Sequence, residues 1–212
     1  MNMLATKSVF TAPDTEKLFV RTLTPSDCAA FRALRLEALS GQDAKNFGAS
    51  YEEEKNQTLA EWRKRCTETN DQAIFGLFVR GQLIGNLAAT KWDSDTTGET
   101  LLWGSAYVKK EYRGKRFAGE LYKMRLEWSL SHRQFEKAVL FIRAGNATAT
   151  RIHTKNGAQY IYSAPMRCAD GNKAIVHWYE RPLVDCNGMR LEGQMVPGDG
   201  IIQKRQALEL AY

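Results

Sequence analysis

Apolar and polar positions fall in short runs along the first half of the chain, and their period changes wherever turn residues intervene. Residues 18–22, LFVRT, are strand formers, and TPSD follows, with Thr24 placed to cap a helix and Pro25 to occupy its first turn. Phe31, Leu34 and Ala38 then recur at i, i+3 and i+7, with Arg32 and Arg35 turned away from that face and Gly41 as a stop. AKNFGASYEEE is irregular. Its Glu52, Glu53 and Glu54 read either as the solvated start of a second helix or as carboxylates facing a cationic substrate. TLAEWRKRC predicts a further helix with Leu59 and Trp62 turned inward.

From residue 74, IFGLFVRGQLIGNLAATKW predicts two strands joined at Arg80-Gly81-Gln82, a hairpin turn whose glycine permits a positive φ. LLWGSAYV at 101–108 predicts another strand, in which the small Gly104 and Ala106 share one face at period two and leave room for a close approach. Phe117, Leu121, Met124 and Trp128 mark an amphipathic helix, and KAVLFIR at 137–143 returns to strand. Asn146 to Asn156 predicts one more helix, ended by Gly157; AQYIYSA and AIVHWYERP then make two strands around an Asp170-Gly171-Asn172 turn. The pattern divides the chain into an N-terminal extension (1–17), one domain (18–183) and a C-terminal extension (184–212). That last segment reads as a flexible tail, an added strand, or a short helix docked on the second subunit of a homodimer.

Composition changes this picture little: 212 residues at 43% hydrophobic and 25% charged suit one soluble domain with a proper core. No run approaches the roughly 18 apolar residues a membrane span needs. MNMLATKSVF lacks the apolar stretch of a secretory signal, so a cytoplasmic location and no membrane partner are expected. Cys28, Cys66, Cys168 and Cys186 form no CxxC pair and read as reduced thiols, and His132, His153 and His177 are too scattered for a metal motif.

Charge changes it more. The net charge of +6 favours an anionic partner such as nucleic acid, a membrane surface or a phosphorylated cofactor. Lys109, Lys110, Arg113, Lys115 and Arg116 cluster where a strand hands over to a helix. Backbone N–H groups and a helix N-terminus behind cations make a cradle for pyrophosphate, and the small Gly114, Ala118 and Gly119 would let phosphates approach the main chain. The plainer reading is a basic loop capping a surface helix.

At this segment the chain resembles the GNAT superfamily, whose members carry (Arg/Gln)-x-x-Gly-x-(Gly/Ala) between the fourth strand and the following helix. Arg113, Gly114, Lys115, Arg116, Phe117 and Ala118 match it, with Arg116 standing where the family usually has glycine. LRLEAL at 34–39, FGASYEEE at 47–54, the GQLIGNL hairpin and the run from Asn146 to NGA extend the resemblance over about residues 18–183. It implies an α/β (α+β) fold: a mixed, mostly antiparallel sheet flanked by helices, with its fourth and fifth strands splayed. It also implies direct acetyl transfer from acetyl-CoA to a primary amine of a small molecule or a protein, with no metal. By the resemblance, residues 113–119 hold the pyrophosphate, main-chain atoms of Tyr107 and Val108 bind pantetheine or the thioester carbonyl, and Asn146 contacts the cofactor. Asn146, Thr150 and His153 recur at i, i+4 and i+7 and so share a helix face. His153 stands where the family commonly has the tyrosine that protonates the departing thiolate, and imidazole can donate a proton there. The usual strand position for a base carries no carboxylate, which leaves Glu54 and Tyr107 as candidates. A nucleic-acid contact by the basic segment, in a binding module or in an acetyltransferase acting on charged tRNA, is the alternative.

Overall fold

The computed structural model describes residues 18–191 apart from Arg116 and Cys186. Among them run seven strands, β1 (Leu18–Thr22), β2 (Gln72–Val79), β3 (Gln82–Lys91), β4 (Thr100–Val108), β5 (Lys137–Arg143), β6 (Gln159–Arg167) and β7 (Lys173–Pro182). Five α-helices accompany them: α1 (Cys28–Ser40), α2 (Tyr51–Lys55), α3 (Leu59–Arg65), α4 (Ala118–Ser131) and α5 (Ala147–Lys155). The strands form one sheet in the order β1-β2-β3-β4-β5-β7-β6. Every adjacent pair is antiparallel except β4 and β5. This is the mixed, mostly antiparallel sheet that the resemblance implies.

Local chemistry explains the boundaries. Asp27 accepts from the Thr24 N–H at 2.8 Å, closing a capping box around a short 3-10 turn that leads into α1. The β2–β3 hairpin turns at Arg80 (φ 49°) and Gly81 (φ 81°), and two successive positive φ values match the right-handed twist of the flanking strands. Asn146 caps α5 by accepting from the Ala149 N–H at 3.2 Å.

The sheet separates two apolar layers. On one face, Phe31 and Leu34 of α1 pack with the fully buried Trp62 of α3, whose ring meets Phe31 edge-on at 5.4 Å. On the other, Leu121, Tyr122, Leu126 and Trp128 of α4 cover Phe75, Leu77 and Ala89. Two side chains depart from the sequence expectation. Leu59 is 45% exposed, because the first turn of α3 projects beyond the core that Trp62 reaches. Arg35 is 5% exposed: it lies four residues after Phe31 and three before Ala38, on the very stripe that faces the sheet.

Candidate active site

The site begins where the sheet fails to close. β4 and β5 pair only from Thr100 to Leu102 against Lys137 to Val139, and the ladder stops there. A bulge in β4 accompanies the divergence: Ser105 takes φ 55°, its carbonyl accepts from Asn86 Nδ2 at 2.6 Å, and the β3–β4 register shifts between Asn86 and Ala88. The bulge breaks the alternation. Leu101 and Trp103 pack on the α4 side and so does Val108, whereas Tyr107 packs on the α1 side. Gly104 and Ala106 therefore do not share a face as period two predicts.

Two cavities flank this gap. One, of about 650 Å³, lies between β4 and the helices α4 and α5 and is lined by Val108, Arg113, Gly114, Phe117 and Ala118 among others. The second, of about 400 Å³, runs through the opening toward α1 and is lined by Arg35, Gly104, Ser105, Phe141 and Arg143 among others. Ala106, Arg125, Asn146 and His153 border both.

The larger cavity sets the small Gly114 and Ala118 at the start of α4 opposite apolar and aromatic side chains such as Tyr107, Phe117 and Leu121. Gly114 takes φ 78°, and nothing lies within 4 Å of a Cβ built on Gly114 or Gly119. No side chain caps the N-terminus of the 14-residue α4 at Phe117, so its leading N–H groups and partial positive charge are offered outward. A pyrophosphate fits that set of donors. Arg113 is not a free cation: its Nη2 pairs with Asp43 at 2.5 Å and its Nε donates to the Val108 carbonyl at 2.8 Å, so it braces the loop against β4. Its carbonyl bond also occupies one of the main-chain groups expected to meet pantetheine. Lys115 sits over the Tyr112 ring at 5.4 Å, and neither it nor Gly119 lines the cavity. Arg116 lies outside the described residues. Asn146 uses its side-chain oxygen to cap α5 and its Nδ2 to reach Asn46 Oδ1 at 3.3 Å. Thr150 lines neither cavity; Asn146, Ala149 and His153 border both, and Thr148, Arg151 and Ile152 border the larger alone.

The candidates for proton transfer read differently in place. His153 is 8% exposed, its Nδ1 has no hydrogen-bond partner, and burial together with Arg125 lowers its pKa to about 3. Burial disfavours the imidazolium form there, which leaves His153 as a neutral N–H donor. Glu54 is corrected as a base. Its carboxylate takes the Arg35 guanidinium at 3.0 Å and Arg65 at 3.2 Å, and although burial pushes its pKa up, the two arginines hold it lower still. Tyr107 donates to Glu37 at 2.9 Å, and burial and that carboxylate push its phenol up to about 12. Burial and the Glu37 carboxylate both disfavour the phenolate form.

The sequence reading passed over Arg125. It lies four residues after Leu121 and three before Trp128, so an arginine on the apolar stripe of α4 was the signal. It is 1% exposed and stacks over Trp103 at 4.1 Å and Tyr122 at 5.2 Å. Among the described residues, no group of three histidine, cysteine or acidic side chains is placed to hold a metal, and no helix is long and apolar enough to cross a membrane.

With this geometry in view, the Acetyltransferase (GNAT) family model matches residues 36–158. Among solved structures, an acetyltransferase of GNAT family from Streptococcus pneumoniae is similar at TM-score 0.63 and 16% identity, over 78% of this chain and 99% of that one. A Salmonella typhimurium protein, yncA, solved with its cofactor acetyl-CoA, is similar at TM-score 0.64 and 18% identity, covering 80% and 95%. RimL, the ribosomal L7/L12 alpha-N-protein acetyltransferase in complex with coenzyme A, is similar at TM-score 0.60 and 13% identity, covering 80% and 96%. No curated protein matches the sequence significantly.

Proposed function

Because the chain belongs to the GNAT acetyltransferase family, we propose that it transfers an acetyl group from acetyl-CoA directly to a primary amine of a small molecule or a protein. The observation that carries this reading is the opening between β4 and β5, with an uncapped helix N-terminus at one end and a second cavity at the other. Bound acetyl-CoA supplies a thioester whose C–S bond breaks as the amine nitrogen bonds the carbonyl carbon, with the thiolate leaving and the amine's proton lost.

The chain's own contribution is position and polarity. The loop from Gly114 to Gly119 and the start of α4 hold the phosphates, and β4 past Trp103 offers main-chain groups to the pantetheine arm. Neutral His153 lends a hydrogen bond at the junction of the two cavities. No carboxylate base is needed if the amine arrives neutral. The nucleic-acid alternative draws on the same basic segment, but Lys109 is taken by Glu37 at 2.7 Å and Arg113 by Asp43, which leaves less free charge for a phosphate backbone.

Thermal unfolding tests the reading. At about a hundredfold excess over Kd, acetyl-CoA should raise Tm by roughly 5 °C, while nicotinamide and flavin cofactors leave it unchanged. Thiol release with a panel of amines then reports turnover. No stabilisation by acetyl-CoA at millimolar concentration would overturn the assignment.

A further inference from the structure

The smaller cavity has a composition that selects its occupant. Arg35, Arg65, Arg125 and Arg143 line it, and no aspartate, glutamate or lysine does. Glu54 lies behind Arg35 and Arg65, and Asp170 pairs with Arg143 at 3.2 Å, so four cations meet two anions. Arg125 meets none. Its Nε and Nη2 lack hydrogen-bond partners, no carboxylate among the described residues pairs with it, and Arg35 Nη1 is likewise unsatisfied. Burial lowers the Arg125 pKa to about 10, which still leaves it charged at neutral pH.

An unpaired buried guanidinium is costly in an empty protein and favourable once an anion arrives. The rings of Trp103 and Tyr122 fix the plane of this cavity-lining guanidinium, a rigid cation of the kind that suits a carboxylate. The same field disfavours a plain ammonium ion in this cavity. A polyamine, or a lysine chain presenting only positive charge, would meet four arginines and no lining carboxylate. An amine that carries its own carboxylate supplies the missing anion, while the remaining arginines lower the ammonium pKa and favour the neutral, nucleophilic form. That answers the want of a base left by Glu54 and Tyr107.

Resting on the acetyltransferase reading above, we propose that the acceptor is a small amino carboxylate of the free amino acid class, its carboxylate held by Arg125. At about 400 Å³ the cavity suits a compact ligand and not a folded surface. Arg125 is then a binding residue for the acceptor.

The test compares matched sets: amino acids, their carboxamides and the corresponding decarboxylated amines. Each is assayed by thiol release, and the amino acids are also titrated calorimetrically into protein saturated with coenzyme A. The amino acids should lead in kcat/KM by ~10- to 100-fold, as for a hydrogen-bonded charge. Arg125→Met, which keeps the apolar stem and removes a buried unpaired charge, should fold with undiminished Tm, lose that preference and leave acetyl-CoA affinity unchanged; Arg125→Lys should restore part of it. Carboxamides or plain amines acetylated as well as amino acids would overturn the inference, as would a preference that survives in Arg125→Met. Loss of acetyl-CoA binding in that variant would assign Arg125 to the donor and overturn it too. The outcomes separate cleanly: acetyl-CoA bound without amino acid binding defeats this inference alone, and acetyl-CoA unbound defeats the reading beneath it.

Discussion

The two cavities that meet at Asn146 and His153 are made of different material. The larger is set at the uncapped start of α4, where Gly114 and Ala118 leave the main chain open, and the arginine of that loop, Arg113, is tied to Asp43 and Val108. The smaller carries four arginines from separate elements, Arg35 on α1, Arg65 on α3, Arg125 on α4 and Arg143 on β5. A donor common to a whole family can be held by backbone geometry, which tolerates sequence change. An acceptor that differs between members must be read by side chains, and those are charged here and buried at a cost.

That contrast predicts where mutations hurt. The largest effect should come from Glu54→Gln, which leaves Arg35 and Arg65 facing each other without their shared anion and should cost about 3–5 kcal/mol of stability in denaturant unfolding. The pH dependence follows from the lowered folded pKa of Glu54. Its contribution is present above the unfolded carboxyl value and is lost as pH falls through the folded one, so the variant should show a flatter acid limb. A small stability change with lost turnover would return Glu54 to the chemistry.

Next in size, Gly119→Val should weaken acetyl-CoA binding by about tenfold, ~1.4 kcal/mol, while changing fold stability by less than ~0.5 kcal/mol. Gly119 does not line the cavity, but a Cβ there meets open space in the first turn of α4, so a branched side chain would obstruct only a ligand seated on that helix N-terminus. Equal Kd for both proteins by calorimetry would mean that the phosphates lie elsewhere.

His153 gives a smaller, sharper result. With its folded pKa at about 3, the unfolded chain binds the extra proton between roughly pH 6.5 and 3, so stability should fall as pH drops through that window. His153→Ala should remove that slope and lower kcat by less than about tenfold, short of the ~10²–10⁴ that a general acid contributes. An imidazole titrating near 6.5 by NMR in the folded protein would restore the acid role.

Tyr107→Phe should do least, under ~1 kcal/mol for one hydroxyl bond to Glu37, with kcat unchanged. A large loss of rate there would contradict the protonated phenol described above.

The same contrast governs what the sequence disclosed. The hairpin at Arg80-Gly81, the α5 span from its Asn146 cap to Gly157 and the basic loop before α4 are local, and local signals name them correctly. The β4 bulge was not legible because nothing in LLWGSAYV breaks the alternation; Asn86, on the neighbouring strand, binds the Ser105 carbonyl where the chain turns out of register. Arg35 was assigned to the solvent side from its charge, although its spacing put it on the buried stripe. Its partner Glu54 is 19 residues away, a distance no periodicity spans. Arg125 went unread for the same reason: an arginine among apolar positions looks like surface until the fold shows it buried over Trp103 and Tyr122.

The central claim is that one opening in the sheet joins a donor site at the α4 N-terminus to an arginine-lined acceptor site, and a crystal structure with acetyl-CoA tests it most directly. The account predicts pyrophosphate against the Gly114–Gly119 loop, pantetheine between β4 and β5, and the thioester beside His153 and Arg125. Acetyl-CoA bound outside the β4–β5 opening, with both cavities empty, would contradict it.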